Sequence, residues 1–165
     1  MQFVAANINN LQLLNALIGT TNFTIAIIGK VTSTASVQSF VSVGTTANGI
    51  VLGVDINASS ARDFNANGVV AVSDTTSLAT TSWESWVLNS DASGNLTLMV
   101  NGVAHTPSPA SATCAAPSAF LTLGAASAGS EALNGGLYDS AVWTVAQNNN
   151  AGIYQFHHKI TNGAL

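Results

Sequence analysis

The hydrophobic positions of this chain recur mostly with period two, the rhythm of strands that bury one face. Between Asn22 and Val31, Phe23, Ile25 and Ile27 fall on one face, with Thr24 and Ala26 between them. Val37, Ser39, Val41 and Val43 share one face of a second run, with Phe40 on the other. Ile50, Leu52, Val54 and Ile56 alternate with small or polar residues after the turn 44–49. Runs around Arg62–Asn65 and Val69–Ser73 are joined by Ala66-Asn67-Gly68, and Asn-Gly signals a hairpin. The run Trp83–Asn89 leads through the turn 90–94 to Asn95–Val100, which Asn101-Gly102 turns back into Val103-Ala104-His105. That hairpin is the clearest, because Asn-Gly supplies the positive φ a type I′ turn needs at both central positions. Phe120–Leu123 and Leu137–Trp143 complete the series. Turn signals every 8–12 residues predict an all-β sandwich.

Two segments depart from the rhythm. Leu11, Leu14, Leu17 and Ile18 have helical spacing before Gly19, and Ile153, Phe156 and Ile160 form a stripe within Ala151–Ile160. Each predicts a short helix packed on an end or edge of the sandwich. The segment 106–118 holds all three prolines and reads as a loop. With no internal repeat and no interdomain linker, the 165 residues predict one domain, 1–165. Within it, 22–145 is the sandwich, 1–21 a docking arm, edge strand or short helix, and 146–165 a C-terminal helix or tail.

Composition narrows the functions. Only 6% of residues are Asp, Glu, Lys or Arg, against about 25% in an average domain. Lys30, Arg62 and Lys159, the only three cations against seven acids, are far apart in sequence. Nucleic-acid binding and a polybasic membrane patch both need clustered cations, so neither is expected. No apolar stretch approaches membrane-spanning length. The start, Met1 to Asn7, lacks a basic region, so no signal peptide is expected. Ala, Ser, Thr, Asn and Gly stand in for charge and predict a nearly neutral surface that lets like copies pack closely.

Candidate chemistry is sparse. Paired carboxylates for glycoside hydrolysis should recur at i and i+2 on a strand, and none does. The only glutamates, Glu84 and Glu131, are isolated in sequence. Neither His105, His157 and His158 nor any serine lies in a nucleophile motif. On a helix or a strand the neighbours His157 and His158 diverge, which disfavours a shared ion. Cys114, the single cysteine, has no neighbouring base and excludes an internal disulfide. Asp91, Ser93 and Asn95 place oxygens at alternate positions like a calcium loop, but Gly102 stands where an EF-hand needs its bidentate glutamate, and a turn explains the residues directly. Asn22-Phe23-Thr24, Asn57-Ala58-Ser59 and Asn95-Leu96-Thr97 match the glycosylation pattern and read as chance. No catalytic, cofactor or metal residue is assigned, and no cofactor is expected. Trp83 and Trp86, three apart, face opposite sides of a strand; one fills the core and the other is either a sugar platform or packs under a loop. Trp86 is the residue whose mutation would test sugar binding, and Trp143 is expected in the core.

The order of these pieces resembles the laminin-G-like or concanavalin A-like jelly-roll superfamily. The carrying residues are Phe23-Thr24-Ile25-Ala26, Trp83 to Leu88, the hairpin Gly94 to Gly102, Leu121-Thr122-Leu123-Gly124, and Leu133 to Trp143, across 22–145. The resemblance implies two stacked antiparallel sheets and a family that includes lectins, adhesion modules, glucanases and virion parts. This chain lacks a match to the glucanases' acidic strand and to the laminin-type calcium rim, so neither activity is implied. The leading expectation is a non-enzymatic, self-associating surface module of a phage or virus particle, a capsid decoration, fibre or tail component. Its expected partners are other virion proteins and copies of itself, and it would reach the exterior by lysis without an export signal. The alternative is a carbohydrate-binding lectin-like adhesion module that contacts surface glycans.

Overall fold

The computed structural model describes residues 2–3, 11–14, 21–33, 36–44, 49–55, 61–66, 69–74, 82–105, 120–125 and 131–147. They form β1 (Gln2–Phe3), β2 (Leu11–Leu14), β3 (Phe23–Val31), β4 (Gln38–Gly44), β5 (Gly49–Asp55) and β6 (Ala61–Ala66). These are followed by β7 (Val69–Asp74), β8 (Glu84–Ser90), β9 (Leu96–Val100), β10 (Val103–His105), β11 (Phe120–Leu123) and β12 (Gly135–Trp143). The strands build two six-stranded antiparallel sheets, ordered β1-β12-β3-β8-β9-β10 and β2-β11-β4-β5-β6-β7. This is the all-β sandwich that the sequence pattern predicts, of the jelly-roll kind that the resemblance implies, with no helix among the described residues.

The hairpins fall where turn chemistry puts them. Asn101 and Gly102, at φ 50° and 80°, join β9 to β10. The short 67–68 connection joins β6 to β7. Leu11–Leu14 takes the edge-strand alternative and not the helical one: it pairs with β11, and the sheet offers its backbone partners that an isolated helical turn lacks. The expected helix within 151–160 lies outside the described residues, as do the loop 106–118, Cys114, His157, His158 and the Asn57 acceptor site.

The core fills the space between the sheets. Phe23, Ile25 and Ile27 from β3, Trp86 and Leu88 from β8, and Leu96, Leu98 and Val100 from β9 face Phe40, Val41, Leu121 and Leu123 of the other sheet. Each large apolar side chain buried there contributes about 1.5–3 kcal/mol. Phe40 departs from simple alternation. The β4–β5 register shifts between Ser39 and Val41, and this bulge turns Phe40 into the core beside Val41. Its ring meets Trp86 edge-on, centroids 4.9 Å apart and planes at 70°, and lies where a Cβ on Gly29 would be.

The first sheet is buried on its outer face as well. Ala26, Ile28 and Val87, which alternate with core residues, are fully buried, with Trp83, Met99, Ala141 and Trp143 packed around them. Trp143 therefore belongs to this second cluster and not to the central core. The bulge between Leu137 and Asp139 resets the alternation of β12, leaving Trp143 outside the sandwich and Val142 against the inner core.

Candidate aromatic site on the outer sheet

Most polar side chains with a candidate role are engaged in holding the fold. Asp91 closes its own turn: one carboxylate oxygen accepts the Ser93 and Asn95 amides at 2.8 and 2.9 Å, and the other accepts the Asn95 side-chain amide at 2.7 Å. Hydrogen bonds from the Asn95 side chain and then its backbone hold this carboxyl below its ordinary value. A depressed folded value gives stability that is present above the unfolded pKa of about 3.9 and fades as pH falls through the folded value. Asp91→Asn is therefore expected to flatten the acid side of a plot of thermal midpoint against pH between about 5 and 2, and an unchanged acid limb would refute that role.

Glu84 is buried and its Oε2 accepts the Trp86 indole N–H at 3.1 Å. Glu131 accepts the Ser39 hydroxyl at 2.7 Å from the loop before β12. Among the described residues no three His, Cys, Asp or Glu side chains converge as a metal-holding group. Two of the glycosylation acceptors are committed too. Asn22 Oδ1 accepts the Ala146 amide at 2.9 Å beside a fully buried Thr24, and the Asn95 side-chain amide donates to Asp91.

The outer face of the first sheet has two unlike ends. At one, Thr24 Oγ1 donates to Asn89 Oδ1 at 2.6 Å, and the Gln147 amide donates to both at 2.9 and 3.0 Å. These bonds pin the 145–147 segment across β3 and β8. At the other end the face is aromatic. Trp86 lies in the core at 1% exposure, so it cannot be the sugar-contacting residue; strand parity places Trp83 on the outer side instead.

The Trp83 ring reaches across β3 to Gly136 on β12, where a Cβ would stand 2.8 Å from Cη2. Glycine at 136 is thus what lets the indole settle there. Lys30, in register with Gly136, holds its ammonium 4.9 Å from the Trp83 centroid. Tyr138 is the extra residue of the β12 bulge and is 48% exposed. Its ring meets Trp83 edge-on at 6.1 Å and 72°. Such a pair is worth about 0.5–1.5 kcal/mol and an exposed cation–π contact about 0.5–1 kcal/mol, enough to hold one arrangement. The result is an amphipathic rim, two aromatic rings and one cation, able to stack on an apolar ring face while offering an N–H donor. Sequence parity set Trp83 opposite Trp86 without telling which faces outward; Tyr138 and Lys30 escaped it because a bulge and a cross-strand register bring them in.

A family profile described as "Concanavalin A-like lectin/glucanases superfamily" matches residues 6–150. No curated protein sequence matches significantly. Among solved structures, a variant of the NanB sialidase from Streptococcus pneumoniae is similar at TM-score 0.70 and 16% identity, over 90% of this chain and 26% of that one. The chain thus spans about a quarter of that sialidase. The CBM40 of the Ruminococcus gnavus IT-sialidase, bound to α2,3-sialyllactose, is similar at TM-score 0.60 and 16% identity, over 86% of this chain and 84% of that one. The enzymatically active domain of bacteriophage CBA120 tailspike protein 2 gives TM-score 0.65 at 17% identity, over 96% of this chain and 27% of that one. At these identities the likeness is one of fold.

Proposed function

We propose, for a chain that belongs to the concanavalin A-like lectin/glucanases superfamily, that it is a non-catalytic carbohydrate-binding module whose sugar platform is the rim of Trp83 and Tyr138 beside Lys30. The observation that carries this reading is the half-exposed Tyr138 set edge-on against Trp83 on an outer sheet face. Sugar rings present C–H faces that pack on aromatic rings, and binding sites in general pair such surfaces with a few placed polar groups. The CBM40 bound to sialyllactose, a domain of nearly the same extent, supports the choice of ligand class. Against catalysis, glycoside hydrolysis needs two carboxylates flanking a sugar, while Glu84 and Glu131 hold a core indole and a β4 hydroxyl.

A glycan array, run with calcium and with chelator, tests the reading on the purified chain. Trp83→Ala is expected to weaken binding at least about tenfold while costing less stability than truncating the core Trp86, because the Trp83 ring is only partly buried, against the smaller Ala26, Ile28 and Val87 cluster. Unaltered glycan binding in that variant, or no glycan bound by the parent, would refute the platform.

A place on the surface of a phage or virus particle, with copies of itself and other virion proteins as partners, is the second reading. The tailspike domain's fold likeness and the scarcity of charge, which permits close packing of like copies, favour it. It predicts concentration-dependent self-association in sedimentation; a chain monomeric at all concentrations would count against it.

A further inference from the structure

The rim carries a charge that neutral sugar binding does not need. Lys30 is one of only three cations in a chain of net charge −4, yet it is placed at the one aromatic rim described. Its ammonium is held over the Trp83 ring. The nearest acid along β12, Asp139, is in register with Ile28 and not with Lys30, and its Oδ1 accepts the Ser140 amide at 2.9 Å. An ammonium has three N–H donors, and those not aimed at the ring remain for a ligand. From those observations we infer that the site selects sugars bearing a carboxylate, with the sugar ring against Trp83 and Tyr138 and the carboxylate on Lys30 Nζ. This inference rests on the glycan reading and names the ligand class of that same site.

The chemistry fits in both parts. A charge-assisted bond from an ammonium to a carboxylate is about twice as strong as one between neutral groups. Lys30 is fixed by its stack before the ligand arrives, so less side-chain freedom is lost on binding. The overall negative charge makes the preference depend on this local cation, since the rest of the protein repels anions.

Matched ligands separate charge from shape: oligogalacturonate against its methyl ester, and 3′-sialyllactose against its methyl ester, titrated calorimetrically into the intact chain. The two pairs distinguish a hexuronic from a nonulosonic acid source. In at least one pair the acid is expected to bind about tenfold more tightly than the ester, with the difference shrinking as salt rises. Lys30→Gln is expected to abolish that difference by weakening the acid about tenfold more than the ester, and Lys30→Arg, which keeps charge and stacking, to restore it. If Lys30 only props up Trp83, Lys30→Gln would weaken acid and ester equally, which overturns the inference. Equal binding of acid and ester by the parent chain overturns it too, while leaving the glycan reading intact. Binding of none of the four ligands, with other glycans also unbound on the array, removes both.

Discussion

Replacing Trp86 by alanine is expected to cost about 3–5 kcal/mol of folding stability, the range for truncating a buried aromatic. In a chain of this length that lowers the thermal midpoint by roughly 6–20 °C. The indole is fully buried between the sheets, edge-on to Phe40, and its N–H satisfies the buried Glu84 carboxylate. Truncation removes all three contributions together: buried area, the aromatic pair, and a hydrogen bond to a buried acid. Trp86→Phe separates them, since it restores ring packing and loses the donor; it is expected to recover most but not all of the loss, because a hydrogen bond to a charged group is worth about 1.5–3 kcal/mol. Urea unfolding followed by tryptophan fluorescence measures both. A Trp86→Ala chain as stable as the parent would mean that the sandwich core lies elsewhere. The contrast with Trp83→Ala is the sharper point: of two tryptophans three residues apart, one is expected to govern stability and the other binding.

The second large effect is expected at Gly53, where alanine should destabilise by about 1–3 kcal/mol or more. Gly53 pairs with Ser39 at the β4 bulge, and a Cβ there would run into the Gln38 carbonyl and come within 3.0 Å of the Ser39 Cα. Both obstacles are backbone, so relief requires the bulge itself to shift, and the bulge is what aims Phe40 into the core. Gly29 offers the control, because a Cβ there meets only the Phe40 ring. Combining Gly29→Ala with Phe40→Leu should cost less than the two single changes added together, while Gly53→Ala with Phe40→Leu should show no such relief. Chemical denaturation of the five variants gives the coupling energies directly. Additive behaviour at Gly29 would show that the ring is not the obstacle.

Strand existence was legible in the residues because period-two runs and Asn-Gly turns are local signals. The β9–β10 hairpin was readable to the residue, since only positive φ at both Asn101 and Gly102 closes it. Bulges were not readable. One extra residue at Phe40 and another at Tyr138 each reverse the side to which the following residues point, and nothing in the alternation marks where the reversal occurs. Leu11–Leu14 satisfied a helical stripe as well as a strand, and the choice was made by a ladder with β11, over a hundred residues away in sequence. The site suffered most from the second apolar face. Parity correctly set Trp83 opposite Trp86, but hydrophobicity could not say which was inward when Ala26, Ile28 and Val87 bury the outer side too. Lys30 and Gly136 are unremarkable in sequence; only their register beneath Trp83 gives them a role.

The strand order also sets a timetable for the newborn chain. β3 is translated before both of its sheet neighbours, β8 and β12. Trp143, the end of β12, follows Val31 by roughly 110 residues, which a ribosome adds in about 5–20 s. Until β8 is made, roughly halfway through that interval, a strand whose two faces are both destined for burial has no permanent partner, and its other edge stays open until β12 follows. Holding chaperones have their longest opportunity there, and a nascent chain arrested before β12 emerges should be their strongest client.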